Sequence, residues 1–327
     1  MSCILIIGDA EDPHIASVCS FLNEPEDSFF VLNPHKGGSY SITYYYNPLR
    51  IEIESDGHVI DASDIDAVWW RLKPNLTNPP KNTVEFEQQK FMHREWHMSL
   101  DPLRYFLKDC FWINRRESDL MARNKPYQLS LAQDIGFNIP KGIISNSSKK
   151  ILETIESFDR FIYKPLSYYI LPPDQVLYSS VMSKEEVIEK RKNIEQAPCI
   201  FQQYLGKDFE LRITIVGEKV FAVKIHSQKN KKTKLDWRKD QLHVEYELFK
   251  LPDHINIKLL KLHHAFGLFY GAYDFIVDHL GDYYFLEVNP AGQWLWMEEL
   301  LGLNISECMA KVLCKETKYE AQIDFIN

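Results

Sequence analysis

The sequence lacks most of what would mark a membrane, secreted or nucleic-acid-binding protein. No apolar run approaches the roughly 20 residues that a spanning helix needs. The first stretch, MSCILIIGDAEDPH, has no basic opening segment and its apolar run stops at Asp9, so it does not read as a secretory signal. Cysteine is sparse, with 6 in 327 residues and no Cys-x-x-Cys pair among Cys3, Cys19, Cys110, Cys199, Cys308 and Cys314. Scattered thiols in so long a chain point to a reduced, cytoplasmic setting and away from a disulfide framework or zinc site. Positive charge is also short: 38 Lys and Arg face 46 Asp and Glu, a formal balance of -8. That argues against a partner gripped by a general basic surface, nucleic acid above all. There is no G-x-x-x-x-G-K-[ST], which excludes a P-loop. No G-x-G-x-x-G follows a strand, so a dinucleotide fold is without support.

What is present is ordinary globular usage, 45% apolar and 26% charged, with 17 Tyr, 19 Phe and 7 Trp to fill a large core. The length predicts two domains or one elaborated α/β unit. Short β-branched and aromatic runs at Cys3–Ile7, Phe29–Leu32, Ile42–Tyr46 and Ile51–Glu54 read as strands separated by turns. Another, Ala67–Arg71, is cut off by Lys73-Pro74, and Val84–Leu107 has helical spacing. Together they predict a small α/β domain over residues 1–112. Past Asn114 the pattern predicts a helix over Ser118–Gln133, a strand into Lys164-Pro165, a loop at Pro172-Pro173 and a strand over Val176–Met182. A Ser183-capped charged helix comes next. Further on are strands at Cys199–Leu205, Glu210–Val216 and Val220–Ser227, a helix over Ile255–Phe266, strands at Gly271–Val277 and Tyr283–Val288, and a last helix.

The most informative stretch is YDFIVDHLGDYYFLEVNP, Tyr273 to Pro290. Two strands joined by Gly281-Asp282 make a hairpin that can bring Asp274 close to Glu287 and Asn289. The last two, two apart on one strand, share a face. Two carboxylates and an amide oxygen form a hard oxygen set that suits magnesium while leaving places for phosphate and water. The plainer alternative is a hairpin with solvated carboxylates. Flanking Phe275, Ile276, Phe285 and Leu286 favour a cluster whose charges are met, because unpaired charges there are costly. Lys125 and Lys164, each before a proline, are candidate phosphate ligands, weak singly because most lysines are solvated. In IFQQYLGKDFELRITIVG, Ile200 to Gly217, the connection at Gln203, Tyr204 and Leu205 reads as a hinge gripping an adenine edge by backbone groups. Glu210 and Arg212 share a face of the next strand, where the arginine can hold a carboxylate or phosphate, or simply make a cross-strand ion pair.

Taken in order, lysine, strand lysine, hinge, paired strands and Asp…Glu-x-Asn resemble the ATP-grasp superfamily over about residues 110 to 315. FLEVNPAGQWLW (285–296), Asp236-Trp237-Arg238, VWWRLKP (68–74) and ARNKP (122–126) resemble the microviridin-type, graspetide peptide ligases of the RimK-like branch. The resemblance implies an α/β (α+β) ATP-grasp fold. Its parts would be an N-terminal pre-ATP-grasp domain over 1–112, a central lobe with a leader-docking helix over 113–198 and a C-terminal lobe over 199–327. It implies ATP and Mg2+ as cofactors and a ribosomal precursor peptide, leader plus core, as partner, with no nucleic acid and no membrane. A homodimer is common in the family. A carboxylate of the peptide would be activated as an acyl phosphate, and a Ser/Thr hydroxyl or Lys amine would close an ω-ester or ω-amide ring. By matched position, Asp274, Glu287 and Asn289 would hold magnesium. Lys125 and Lys164 would hold phosphates, Gln203, Tyr204 and Leu205 the adenine, and Glu210 the nucleotide. Arg238 would reach the terminal phosphate and Arg212 would orient the carboxylate or steady the acyl phosphate, since phosphoryl transfer needs its spreading charge met by fixed cations.

Two positions depart from that pattern: His226 stands where RimK-like ligases carry arginine, and Gln203 replaces a hinge glutamate. The alternatives are a ligase adding free amino acids to a protein or metabolite, and an ATP-grasp protein that binds peptide without turnover. His93 and His97, four apart, read better as a packing pair than as metal ligands. Lys229, Lys231, Lys232 and Lys234 read equally as a solvated hairpin tip or as a lid for anions. Trp294 and Trp296 read as core anchors, and Glu185, Glu186 and Glu189 as a solvated face, less readily as a contact for the leader.

Overall fold

Cys3–Ile7 is continuous in apolar residues because it is covered on both faces, as a central parallel strand must be. In the computed structural model, which describes residues 2–22, 27–36, 38–72, 83–167, 170–171, 175–176 and 179–314, this run lies in β1 (Ser2–Ile7). With β2 (Asp27–Leu32), β6 (Ala67–Trp70) and β7 (Phe111–Ile113) it forms a parallel sheet of order β2-β1-β6-β7. An antiparallel sheet of β3 (Tyr40–Tyr45), β4 (Arg50–Ser55) and β5 (His58–Asp61) covers one side, where Leu5 and Ile7 meet Ile51 and Ile53. The first helix, α1, spans Pro13–Cys19. The predicted helix over Val84–Leu107 is interrupted at Asp101-Pro102, giving α2 (Val84–Leu100) and α3 (Leu103–Phe106). Lys73 and Pro74 lie outside the described residues, as does the expected loop at Pro172-Pro173.

The single helix expected over Ser118–Gln133 is a misreading. The chain forms α4 (Arg116–Ala122) and α5 (Lys125–Asp134), broken where Asn124 caps the second by accepting from Tyr127 N. Pro126 suits the first turn because its missing N–H would have had no helical partner. The break puts Lys125 at a helix start. A second sheet, order β12-β9-β13-β8, is built from β8 (Gly142–Ser145), β9 (Phe161–Lys164), β12 (Ser180–Met182) and β13 (Cys199–Gln203). Two-residue strands β10 (Ile170–Leu171) and β11 (Gln175–Val176) pair with each other, so the strand predicted over Val176–Met182 is not one element. Helix α6 (Ser148–Ile155) and α7 (Lys184–Glu189) cover this sheet through Ile151, Ile155 and Val187. Ser183 and Glu186 form the expected capping box, and the short α8 (Arg191–Ile194) follows.

The third sheet, order β16-β15-β14-β17-β18, contains β14 (Phe209–Val216), β15 (Lys219–Ile225), β16 (Tyr246–Leu248), β17 (Tyr270–Val277) and β18 (Tyr283–Asn289). One face, with Leu211, Ile213, Phe275 and Phe285, is buried under α9 (Asp253–Ala265). The other face is divided. Its far half, Val216, Tyr270 and Ala272, packs with α10 (Leu295–Leu301), α11 (Ile305–Leu313) and the first sheet's Ile4, Ile6 and Trp69 in one shared core. Its near half carries polar side chains. The N-terminal unit is thus packed directly on the sheet that bears the candidate site. No helix among the described residues is long and apolar enough to cross a membrane.

Candidate active site

Three neighbouring strands place Arg212, Asp274 and Glu287 in one row. Arg212 is the register partner of Asp274, and Asp274 that of Glu287, while Asn289 lies opposite Ala272 on the same face. The register slips at a bulge between Asp274 and Phe275, so Leu286 has no direct partner. That extra residue reverses the alternation of β18. Phe285 and Val288 both turn into the core while Glu287 and Asn289 turn to the cleft, the kind of re-aiming that bulges provide beside functional sites. Arg212 Nη1 donates to Asp274 Oδ1 at 2.9 Å, so the cross-strand ion pair foreseen as the simpler role is present. Asn289 Oδ1 accepts from Ala291 N at 3.0 Å, which leaves that oxygen a further lone pair.

The two lysines converge on this row. Lys125 Nζ donates to Glu287 Oε2 from the start of α5, 162 residues away in sequence. Burial pushes the Lys164 ammonium down to about 8, with Glu287 opposing the shift and Lys125 and Arg238 adding to it. Burial would push the Glu287 carboxyl up, but Lys125, Lys164 and Arg238 outweigh it and hold it well below the carboxylate range. Arg238 is itself fixed by a bidentate pair to Asp236, at 2.8 and 2.7 Å. Lys125, Lys164, Arg212 and Arg238 against Asp236, Asp274 and Glu287 leave one positive charge over, the condition a polyphosphate requires.

At the hinge, Gln203 N donates to Lys141 O at 2.8 Å and Tyr204 N to Arg160 O at 3.0 Å, with the Arg160 guanidinium 4.3 Å from the Tyr204 ring centre. Leu205 follows, half-buried. Glu210 is buried, and burial pushes its carboxyl up, opposed by Lys207, whose Nζ donates to Glu210 Oε1 at 2.7 Å and to Leu235 O at 3.3 Å. Lys207 escaped the sequence reading although it stands three residues from Glu210. His226 faces Glu247 at 3.5 Å, and Lys229 pairs with Glu245. Trp294 is fully buried in the shared core, as an anchor should be, while Trp296 packs on Trp237 and Tyr246. The His93 ring packs on His35 at 4.9 Å.

Behind the row runs the loop from Pro290 to Trp294. Tyr270 Oη donates to Gly292 O at 2.8 Å and Arg212 Nη2 to Gln293 O at 3.3 Å. A Cβ on Gly292 would stand 2.5 Å from Ala272 Cβ and 2.7 Å from Arg212 Nη2. Gly292→Ala should therefore displace Arg212, lowering stability by about 1–3 kcal/mol through overpacking. Displacing Arg212 should lower turnover as well. Thermal melts and initial rates check both.

Neither a protein-family model nor a curated protein matches the chain. Solved structures do. A RiPP-associated ATP-grasp ligase from Chryseobacterium gregarium, solved in complex with ADP and a leader and core peptide, superposes with a TM-score of 0.85 at 26% identity, covering 97% of this chain and 98% of that one. The macrocyclase MdnC from Microcystis aeruginosa, bound with precursor peptide MdnA, gives 0.82 at 25% identity, over 96% and 100%. The chain is an ATP-grasp ligase. A third structure, ligase PsnB with a phosphomimetic minimal precursor, Mg and ADP, shares the fold at a TM-score of 0.74 and 17% identity, covering 96% of this chain and 99% of that one. In this ATP-grasp ligase the row of charges lies on the open face of the third sheet.

Sequence reasoning overlooked the loop's supports in this ATP-grasp ligase, Tyr270 and Asn114. Their partners lie 22 and up to 176 residues away, so nothing local signals them.

Proposed function

We propose that this ATP-grasp ligase uses ATP and Mg2+ to close ω-ester or ω-amide links between Asp/Glu carboxylates and Ser/Thr hydroxyls or Lys amines of a ribosomal precursor peptide. The single observation that carries the site is the row Arg212–Asp274–Glu287 with Lys125 bound to its end. The division into 1–112, 113–198 and 199–327 belongs to the same proposal. Asp274, Glu287 and Asn289 would hold the magnesium. Among the described residues no three His, Cys, Asp or Glu gather as a metal group; the proposed set is two carboxylates and an amide oxygen. That set fits an ion keeping places for phosphate and water. When bound, magnesium supplies charge neutralisation for the β- and γ-phosphates.

The chain's own residues do the rest. Lys125 and Lys164 receive the phosphates, and the Lys125–Glu287 pair opens as they do. Gln203, Tyr204 and Leu205 line the adenine's edge, and Glu210, held by Lys207, meets the nucleotide. The peptide's carboxylate attacks the terminal phosphoryl group, forming an acyl phosphate and ADP. Arg238, fixed by Asp236, meets the charge that spreads over the transferred group, and Arg212 orients the acyl group. A hydroxyl or amine of the same peptide then displaces phosphate and closes the ring. His226 supplies no guanidinium here, so Arg212 and Arg238 carry that work.

The two neighbours at 25% and 26% identity, bound to precursor or to leader and core peptides, support a peptide acceptor over free amino acids and turnover over binding alone. Microviridin-like specificity, a homodimer and a cytoplasmic site are parts of the proposal. Light scattering of the purified chain checks the second. The deciding assay adds a candidate precursor peptide, rich in Ser/Thr and Asp/Glu, with ATP and Mg2+. Each ring should release one phosphate and lower the peptide mass by one water, about 18 Da, as condensation through an activated acyl group requires. A mass gain would establish the amino-acid ligase, and nucleotide binding without phosphate release the non-catalytic protein.

A further inference from the structure

Both ends of the loop from Pro290 to Trp294 are held by residues of the chain's first 114 positions. At its start stands Asn114, buried between β7 and α4. Its Oδ1 accepts from Phe269 N and Tyr270 N, each at 2.8 Å, and its Nδ2 donates to Tyr270 O at 2.9 Å and Pro290 O at 3.0 Å. All four bonds of one amide are thus spent on the start of β17 and on the residue after Asn289. The orientation is fixed by chemistry, since turning the amide over would set NH2 against two N–H groups and oxygen against two carbonyls. At the loop's far end Trp294 N donates to His14 Nε2 at 3.2 Å. His14 Nδ1 meets Asp12 Oδ1 at 3.0 Å, and Asp12 Oδ2 accepts from Arg71 Nε at 3.0 Å. The Arg71 guanidinium lies over the Trp294 ring at 4.8 Å, and the His14 ring meets the same indole edge-on at 4.6 Å.

We infer that Asn114 and His14 are positioning residues through which the N-terminal unit clamps the Pro290–Trp294 loop, so that Asn289 at one end and the Gln293 carbonyl that anchors Arg212 at the other are held ready for the metal and the acyl group. The inference rests on the metal reading given under Proposed function. Its physical basis is that Asn289, the last residue of β18, has no further strand to fix it. Partners behind a metal ligand commonly govern affinity by about 10- to 100-fold.

The test needs no peptide. Calorimetric titrations of ADP into the full chain are run with Mg2+ and with chelator. In the wild-type protein Mg2+ should tighten ADP binding. Asn114→Asp keeps the shape and the two accepted bonds but loses both donors. It should weaken the Mg2+-assisted titration at least about tenfold while the metal-free titration stays within about twofold of wild type. His14→Leu should do the same from the other end, and His14→Gln, which can still accept from Trp294 N, should recover most of the loss. If Asn114→Asp does not fold, the His14 pair decides. Equal weakening of both titrations, or no change in either, overturns the clamp. A wild-type protein indifferent to Mg2+ overturns the metal reading and the clamp with it. Wild-type dependence on Mg2+ that every variant shares overturns the clamp alone.

Discussion

Glu287→Gln is expected to end precursor-dependent phosphate release, a loss of at least about a hundredfold by the scale of lost transition-state charge stabilisation. Glu287 accepts a hydrogen bond from Lys125 and faces Asp274 across the strands, so an amide there removes the charge that would share the metal. The substitution keeps the side chain's size, which separates chemistry from packing. It has a second readout. Glu287 opposes the downward shift of Lys164, which lies at about 8, so without it the Lys164 pKa falls further. The charged ammonium is the form that attracts phosphate, and it is lost as pH rises through that value. Metal-free ADP affinity should therefore fall with rising pH near 8 in the wild type and at lower pH in the variant. Titrations from about pH 6 to about pH 9, which span the Lys164 value, measure it. Retained phosphate release in the variant would remove Glu287 from the machinery.

Arg212→Met is expected to be the next most damaging change, costing about a hundredfold to a thousandfold in kcat with a smaller change in the KM for ATP. The side chain does two things at once, pairing with Asp274 at 2.9 Å and donating to Gln293 O at 3.3 Å. Without the guanidinium, Asp274 and Glu287 face each other with one cation fewer, and their mutual repulsion is less well met. Arg212→Lys should recover charge but little rate, because one ammonium cannot reach carboxylate and carbonyl in the same fork. Steady-state kinetics of the three proteins at saturating peptide checks this. A variant that loses ATP affinity and keeps kcat would place Arg212 on the nucleotide instead.

Much of this was legible in the order of residues. The apolar run at the start, the Gly281-Asp282 turn and the two-residue spacing of Glu287 and Asn289 prescribe strands and a shared face, because strand alternation is a local rule. The bulge left a trace as well: Phe285 and Val288 are both apolar and three apart, which breaks that alternation, yet the trace is readable only once both are seen in one core. The split of Ser118–Gln133 was misread although Asn124 and Pro126 are a helix-start signal, since apolar spacing runs on across the break. Lys125 and Glu287 could be suspected singly, but their meeting could not be seen in the sequence.

The sequence alone determined which groups this protein possesses and how they are spaced along each strand: two lysines, the Glu-x-Asn pair, the Asp-Trp-Arg run and Arg212. Strand geometry sets those relations, so they hold wherever these segments form strands. The tertiary structure alone decided that Arg212, Asp274 and Glu287 stand in one row and that Lys125 meets its end. It also decided that Asn114 and His14 reach the loop behind them. These are contacts between segments up to 280 residues apart. They exist because burying both faces of the first sheet forces it onto the third, and no local pattern encodes which surfaces that burial brings together.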